Sequence, residues 1–558
     1  MPRASQSPAW LLAIALLAFG DSKELSAQSD ERQATCDDTS VVLHTGLSSH
    51  GADILRIAEI RGRTSSPALR PLRRGSYEAA TTVCGMELPG LRPMTGAPPE
   101  YTPSWRLIPA QVRSIVNSAY PVDRANGALR GSKGASIGVS AGFAVRYGPL
   151  TVQVAPVVGY ETNGDFQILD TVFSNRSVFS HPWLGDRIDW PQRFGEDSFK
   201  IVDAGESYAR VDVGPVGAGV SNEILTWGTA RRYPILLGDA APGFPHVFLG
   251  NRSPLDVWIG KLDVQFFSGA LRESEYFNED ASDDGRRISG VFAGFSPRGM
   301  KGLTLGVAGL IQVDVELEQS LLDLLSSPLQ LSANNEGNGI FSFFFRWAME
   351  EAGFELYAEW ARDDAPQDIE DFLGEIDHAS AWTAGFQKTA DVPAGVLRVG
   401  FEMTDIKNRD TAVHGRADLS FFTHRGVPTQ GHTHEGQLLG AWTGPGSDAQ
   451  FLEIDLFRER TRWGVFMERV RRDDDTFEDR FAFDYAFRGH DIEFVGGVRA
   501  SAARGAWLVD AVASVSHRKN RSFIGLDGRN FDFLRENNFF LDVTLSWWPS
   551  SKSGWTSF

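Results

Sequence analysis

From Gly131 onward the chain alternates with a period of two. Ile137, Val139, Ala141, Phe143, Val145 and Tyr147 fall on one side of an extended strand; Ser136, Gly138, Ser140, Gly142, Ala144 and Arg146 fall on the other. Past a two-residue Gly148-Pro149 turn the series resumes in Leu150, Val152, Val154, Pro156, Val158 and Tyr160, so the pair reads as a long hairpin. The same period returns at Leu303, Leu305, Val307, Gly309 and Ile311, and at Phe481, Phe483, Tyr485 and Phe487 set between Arg480, Asp484 and Arg488. It closes the chain at Phe539, Leu541, Val543, Leu545 and Trp547 against Asp542, Thr544 and Ser546. These runs last about ten to twelve residues, whereas soluble strands average about five or six and a tilted bilayer-spanning strand needs about 9 to 11.

Alternation alone does not say which face is outside, because a soluble sandwich and a membrane barrel share it in opposite sense. Aromatic residues at strand ends, Tyr147, Tyr160, Trp547 and Trp548, suit an interfacial girdle. Placing Arg480 or Arg488 against lipid would cost about 2 to 4 kcal/mol near the midplane, so the polar face lines the interior. At about 23 residues per strand and connection, the stretch from Lys133 to Trp548 predicts about 18 strands, in keeping with the even numbers of bacterial barrels. The expected fold is all-β, a transmembrane outer-membrane barrel of about 18 antiparallel strands over residues 131–548, followed by a tail over 549–558.

Before the barrel the pattern is different. Arg3, then the apolar run Trp10 to Phe19, then Leu25-Ser26-Ala27 read as a secretory signal over 1–27, cleaved near Ala27. Ten apolar residues rise about 15 Å as a helix, half of a hydrocarbon core of about 30 Å, so the run does not span. No later stretch reaches about 18 consecutive apolar residues, which excludes a helical membrane protein. Residues 28–130 are expected to form a small periplasmic region with two helices, one in ILRIAEI capped by Asp53 and a weaker one over Ser104 to Asn117, which contains Pro109. Seven prolines between Pro67 and Pro103 argue against a continuous sheet there. Cys36 and Cys84 are the only cysteines, and in an exported chain a disulfide between them competes with two buried thiols.

Composition narrows the partners. Lys and Arg number 54 against 72 Asp and Glu, a formal net charge of -18. That balance makes a cationic face for nucleic-acid phosphates hard to assemble, so no nucleic-acid partner is expected.

Three connections are long: Phe166 to Lys200, Thr226 to Pro254 and Asn408 to Gln450. Irregular backbone of that length in a barrel is usually a functional loop or an inward-folded plug. TWGTARRYPILLGDAAPGFPHVFLG (Thr226 to Gly250), LYAEWARDDAPQDIEDFLGEIDHASAWTAGFQK (Leu356 to Lys388) and QGHTHEGQLLGAWTGPGSDAQ (Gln430 to Gln450) resemble, in the same order, segments of the outer-membrane capsule-assembly Wzi family. The resemblance runs from about Asp53 through Glu468. It implies an 18-stranded barrel with a periplasmic helical region, acting as a lectin that holds capsular or extracellular polysaccharide at the cell surface. Partners then are the polysaccharide, outer-membrane lipid and the outer-membrane insertion machinery. Outer-membrane barrels usually end on an aromatic in the final strand; Phe558 matches the residue but stands ten residues past Trp548.

Glycans are held by aromatic faces and by planar donors and acceptors. Trp227, Arg231, Arg232, Tyr233 and His246 form one such set; Tyr357, Glu359, Trp360, Arg362 and His378 form another. Each of these residues also has a plainer reading as girdle, packing or internal ion pair. Enzyme readings are weaker. Gly134-Ala-Ser136-Ile-Gly138 matches a nucleophile elbow but lies within an alternating strand. Glu359, Asp363 and Asp364 could pair as glycosidase carboxylates, yet acidic loop clusters are usually solvated. His432 and His434, with His424 or His414, lack a fourth zinc ligand. Asp473-Asp474-Asp475 reads as a solvated turn. The expectation is a non-enzymatic glycan-binding barrel without metal or cofactor; the alternative is a porin or polysaccharide export channel with a charged interior.

Overall fold

The computed structural model describes residues 53–63, 102–280, 284–314, 337–363, 379–408, 420–424, 428–481, 489–524 and 534–548, with a few short segments besides. The signal sequence, Cys36, Cys84 and His378 lie outside the described residues.

Backbone groups in hydrocarbon must find partners within the protein, so membrane-crossing strands have to close on themselves. The wall is a closed barrel of 18 antiparallel strands, each paired with its neighbour in sequence. The last, Arg535–Trp547, pairs with the first, Ser104–Asn117, from Phe540↔Asn117 to Trp547↔Ala110. The second and third strands are joined by a turn at Gly148-Pro149, with Tyr147 opposite Leu150 and Gly148 at φ 57°, a conformation glycine adopts without a Cβ penalty. At one end the connections are short turns of this kind; at the other they are long. No described helix is long and apolar enough to cross a membrane.

The two faces of the wall are inverted relative to a soluble protein. Ile137, Val139, Phe143, Leu305, Val307 and Val515 are exposed, whereas Ser136, Arg113, Gln265, Glu402 and Asp455 are buried on the inner side. Leaving such a belt in water forgoes about 1.5 to 3 kcal/mol for each large apolar side chain, a loss that acyl chains remove. Trp105, Tyr147, Trp258, Trp347, Trp463, Trp507 and Trp547 are exposed and gather at the short-turn end, forming a girdle. Tyr160 is exposed at the opposite end, while Trp548 is buried and stands outside the girdle.

Several sequence expectations change. Ser104–Asn117 is the first wall strand rather than a helix, so the barrel begins before residue 131. Pro109 sits where the pairing with the second strand shifts between Ile108 and Gln111, a bulge that spares a residue without an N–H. The helix His50–Ile60, here α1, forms where expected but packs into the barrel, with Ile54 and Ile57 against Phe457. The tail does not simply trail away: Thr556 and Ser557 pair with Trp105 and Ser104, resuming the final strand's place beside the first. Within Thr226 to Pro254, His246–Asn251 is a wall strand, which leaves 222–245 as the connection. Arg480 ends a short helix, Asp474–Arg480 or α2, and Phe481 follows in a turn; the remainder of that expected strand, 482–488, lies outside the described residues.

Candidate functional site

The connection 222–245 enters the lumen and is fastened to the wall by its own backbone. The amide N–H groups of Arg231, Arg232 and Tyr233 donate to the Glu402 carboxylate, each at 2.8 Å. Successive amides around one anion form a nest. The Tyr357 hydroxyl donates to the same carboxylate at 2.6 Å. The side chains then spread outward: Arg231 reaches Glu453 and Asp53, both at 2.5 Å, while Arg232 and the Tyr233 hydroxyl reach Glu468 at 2.8 and 2.6 Å. Gly228 has φ 101°, and a Cβ there would stand 2.2 Å from Glu359 Oε2, so only glycine lets the loop pass this wall residue.

Toward the short-turn end α1 completes the filling with charge. Arg56 binds Glu355 at 2.6 Å and donates to the Thr229 carbonyl at 2.8 Å, tying helix, wall and loop together. Asp53 meets Arg231, Arg398 and Arg462, and Asp455 meets Arg398, Arg462 and Arg499. Burial raises the Asp53 carboxyl, but those guanidiniums outweigh burial and hold it well below the usual carboxylate range. Glu59 is different. Arg346 contacts it at 2.8 Å but also serves Glu355, and burial pushes the Glu59 carboxyl up to about 7.

Toward the long-connection end the filling is apolar. Leu225, Trp227, Ile235, Leu236 and Leu237 of the inserted loop pack with Leu184, Ile188, Phe422, Leu438 and Leu439 against inward wall residues from Phe267 round to Val495. Trp227 lies 5.1 Å from Phe267 and donates its indole N–H to Gln265 at 3.3 Å. His432 accepts from the Gln312 amide at Nδ1 and donates to the Leu236 carbonyl from Nε2, so both ring nitrogens are committed. His434 accepts the Arg272 amide N–H at 3.1 Å.

The residues singled out in the sequence are thus brought together, but inside. Trp227, Arg231, Arg232, Tyr233, Tyr357 and Glu359 surround one loop and wall junction, with His246 joined through Phe267 at 5.8 Å. Arg362 is buried too, but at a position of the same strand that shares the parity of Leu356 and Trp360 rather than that of Tyr357. Trp360 points the other way, stacked on Phe343 at 6.1 Å among the outward side chains. Asp53, Glu402, Glu453, Asp455 and Glu468 were missed. Their signal was available: the wall residues occupy the polar positions of alternating runs such as Leu452, Ile454 and Leu456.

At the long-connection rim, Asp473 and Asp474 are buried at the start of α2 rather than forming a solvated turn. Asp474, Glu478 and His490 bring ligand atoms within 4.8 Å of one another, a set that could take a divalent ion. Asp474 is already bonded to His490 Nδ1 at 2.5 Å and to Arg471 at 3.1 Å. Burial pushes the neighbouring Asp475 up to about 7. Half-buried Trp183 stands at this rim beside Phe481 and under the Arg480 guanidinium, 5.6 Å from the ring.

No protein-family description matches the sequence, and no curated protein does. Solved structures do. Wzi, an outer membrane protein involved in group 1 capsule assembly in Escherichia coli and a carbohydrate binding β-barrel, is 15% identical with a TM-score of 0.50, over 78% of this chain and 83% of that one. OccAB2 of Acinetobacter baumannii is 10% identical over 80% and 98% of the two chains, with a TM-score of 0.39. OccK8 (OprE) of Pseudomonas aeruginosa is 10% identical over 81% and 99%, at 0.38. With the apolar belt and the closed wall, the likeness to Wzi establishes the fold as that of an outer-membrane β-barrel.

Proposed function

We propose that this chain is a non-enzymatic barrel of the outer membrane that binds capsular or extracellular polysaccharide and anchors it at the cell surface. The observation that carries the reading is the filled lumen: loop 222–245 and α1 occupy the interior from both ends, as suits a scaffold that presents a rigid outer rim. The likeness to a barrel described as carbohydrate binding supports it, and so do the three segments resembling the Wzi family. On this reading the N-terminal segment and the short turns face the periplasm, after export by a cleaved signal and insertion by the outer-membrane machinery. The glycan-directed residues are those of the long-connection rim, while Arg231, Arg232 and Tyr233 brace the rim from within.

Deleting the gene should move polymer from cells into the medium without lowering total synthesis, and the purified barrel should be electrically silent in planar bilayers. Unchanged retention together with discrete ion conductance would overturn the proposal in favour of a porin or export channel, for which the charged inner wall is the one supporting feature.

A further inference from the structure

The wall is not of even height. Its fifth and sixth strands, Val216–Ser221 and His246–Asn251, have 6 residues each, whereas the next, Gly260–Arg272, has 13. Six tilted residues rise about 15 Å, so both end inside an apolar band of about 25 Å. The fourth strand continues without them. Above Tyr208–Val213 its upper segment, Phe199–Asp203, pairs with Val157–Glu161 on one side and, among the described residues, with no strand on the other. Val202 is accordingly 83% exposed, against 43%, 46% and 55% for Ile137, Val139 and Val158, outward residues whose strands have neighbours on both sides.

The opening is framed on every side. At its base the chain turns inward after Asn222, with Glu223 and Leu225 buried, and returns at Gly243, where a Cβ would stand 1.7 Å from the Asn222 carbonyl oxygen. Phe194 and Tyr276, edge to face at 6.0 Å, close the top. Opposite Phe199–Asp203, a hairpin of Thr433–His434 and Gln437–Leu438 takes the place that the sixth strand vacates. The Ala270 N–H donates to the Pro245 carbonyl at 2.9 Å; two residues on, the Arg272 N–H donates to His434 Nδ1 and its carbonyl accepts the Glu435 N–H at 2.9 Å. The place of the fifth strand stays vacant, a gap of about 10 Å between flanking backbones. Glu435-Gly436 is the hairpin's tip, with φ 49° and 76°, and the first position of such a turn ordinarily holds asparagine, aspartate or glycine. Glutamate is held there in a disfavoured conformation, its carboxylate 3.1 Å from Arg130 and near Asp203, which accepts from the Asn222 amide at 3.3 Å.

We infer that this window in the wall takes the sugar headgroup of a phosphorylated glycolipid from the outer leaflet. The inference goes beyond the polysaccharide reading and shares with it only the orientation, with the long connections outside. Depth selects an occupant that arrives from the membrane. Val158 and Val202 belong to the lipid-facing belt, and one step higher the outward pair Tyr160 and Lys200 has the amphipathic and cationic character of the headgroup level. Backbone groups on a strand edge at that depth require hydrogen-bonding partners, which acyl chains lack and sugar hydroxyls supply. Arg130, Asp203, Asn222 and Glu435 add planar donors and acceptors for the same hydroxyls, and Lys200 stands on the outer side for the phosphate.

The test uses full-length barrel in detergent and a pair of lipids: an acylated, phosphorylated glucosamine disaccharide, and phosphatidylglycerol, which has phosphate and acyl chains but no sugar. Native mass spectrometry should show the glycolipid bound at least about tenfold tighter. A benzophenone attached at Val202→Cys should cross-link to it in far higher yield than one at Val307→Cys, an exposed position on a strand paired on both sides. Glu435→Gly, which suits the turn, and Lys200→Glu, on an exposed position, should each weaken glycolipid binding about tenfold while retaining the folded barrel's gel mobility. Equal binding of the two lipids would overturn the inference, as would unchanged binding in both variants. A cross-link from position 202 to a second copy of the chain would overturn it in favour of edge-to-edge pairing of barrels. Each of these outcomes leaves the polysaccharide reading standing, since retention of polymer on cells decides that separately.

Discussion

The lumen is filled twice, by two kinds of chemistry. Near the short turns α1 is held by guanidinium and carboxylate pairs shared among helix, wall and loop; toward the long connections the same loop is held by Trp227, Tyr233 and a sheath of aliphatic and aromatic side chains. Ion pairs fix orientation, because a slip of one helical position breaks several geometries at once. Apolar packing contributes more energy but tolerates rearrangement. The charged half therefore specifies where the chain sits, and the apolar half supplies most of the cohesion.

The contrast breaks most severely at Trp227, which is 1% exposed. Trp227→Ala should cost about 3 to 5 kcal/mol through the cavity it leaves. A lower urea midpoint in micelles, with faster amide exchange confined to 222–245 and the packed 430–442 segment, is the expected result. Equal loosening of α1 would show that the two halves are one cooperative unit.

Asp53→Ala attacks the other half. It leaves Arg231, Arg398 and Arg462 sharing fewer carboxylates in a buried setting, and should cost about 3 kcal/mol, read as protease access to α1 before the barrel unfolds. Arg231→Met on top of it should cost less than the sum, because the pair shares one interaction. Strict additivity would mean that Asp53 acts on the wall alone.

Glu59→Gln is milder and depends on pH. Its folded-state value of about 7 exceeds an unfolded value of about 4.3, so the folded chain binds the extra proton. The contribution is complete below about pH 4.3 and disappears as pH rises through about 7. Wild-type α1 should therefore loosen between those limits, and the glutamine variant, neutral throughout, should flatten that part of the stability profile. Asp53, held low, has the opposite sign: its contribution is present above about pH 4 and is lost only in stronger acid.

How much of this the chain disclosed depends on period. Where alternation was unbroken, as from Ile137 to Tyr147, the strand and its outward face were legible. Pro109 hid the first strand because the bulge switches parity: Trp105 and Leu107 face out before it and Val112 after it. The candidate residues were legible as a spatial group, since Arg231, Arg232, Tyr233 and Tyr357 do converge, but not as to exposure. An arginine on a loop looks alike whether it meets solvent or a carboxylate from a wall strand 222 positions away, as Arg231 meets Glu453. Trp360 shares the outward parity of Leu356 and stacks on Phe343, in keeping with the packing reading that the sequence also offers for it.

The smallest effect belongs to the rim. Glu275 and Glu279 are exposed, surrounded by water and screened within about 8 Å, so Glu275→Lys and Glu279→Lys together should change the unfolding free energy measured in urea by no more than about 0.5 kcal/mol. The same exchange of sign made inside, at Glu453, would leave Arg231, Arg398 and Arg499 facing a fourth cation and should prevent stable assembly. If the rim variant instead loses more than about 1 kcal/mol, its carboxylates belong to the packed filling, and the division between a rigid interior and a free outer surface does not hold there.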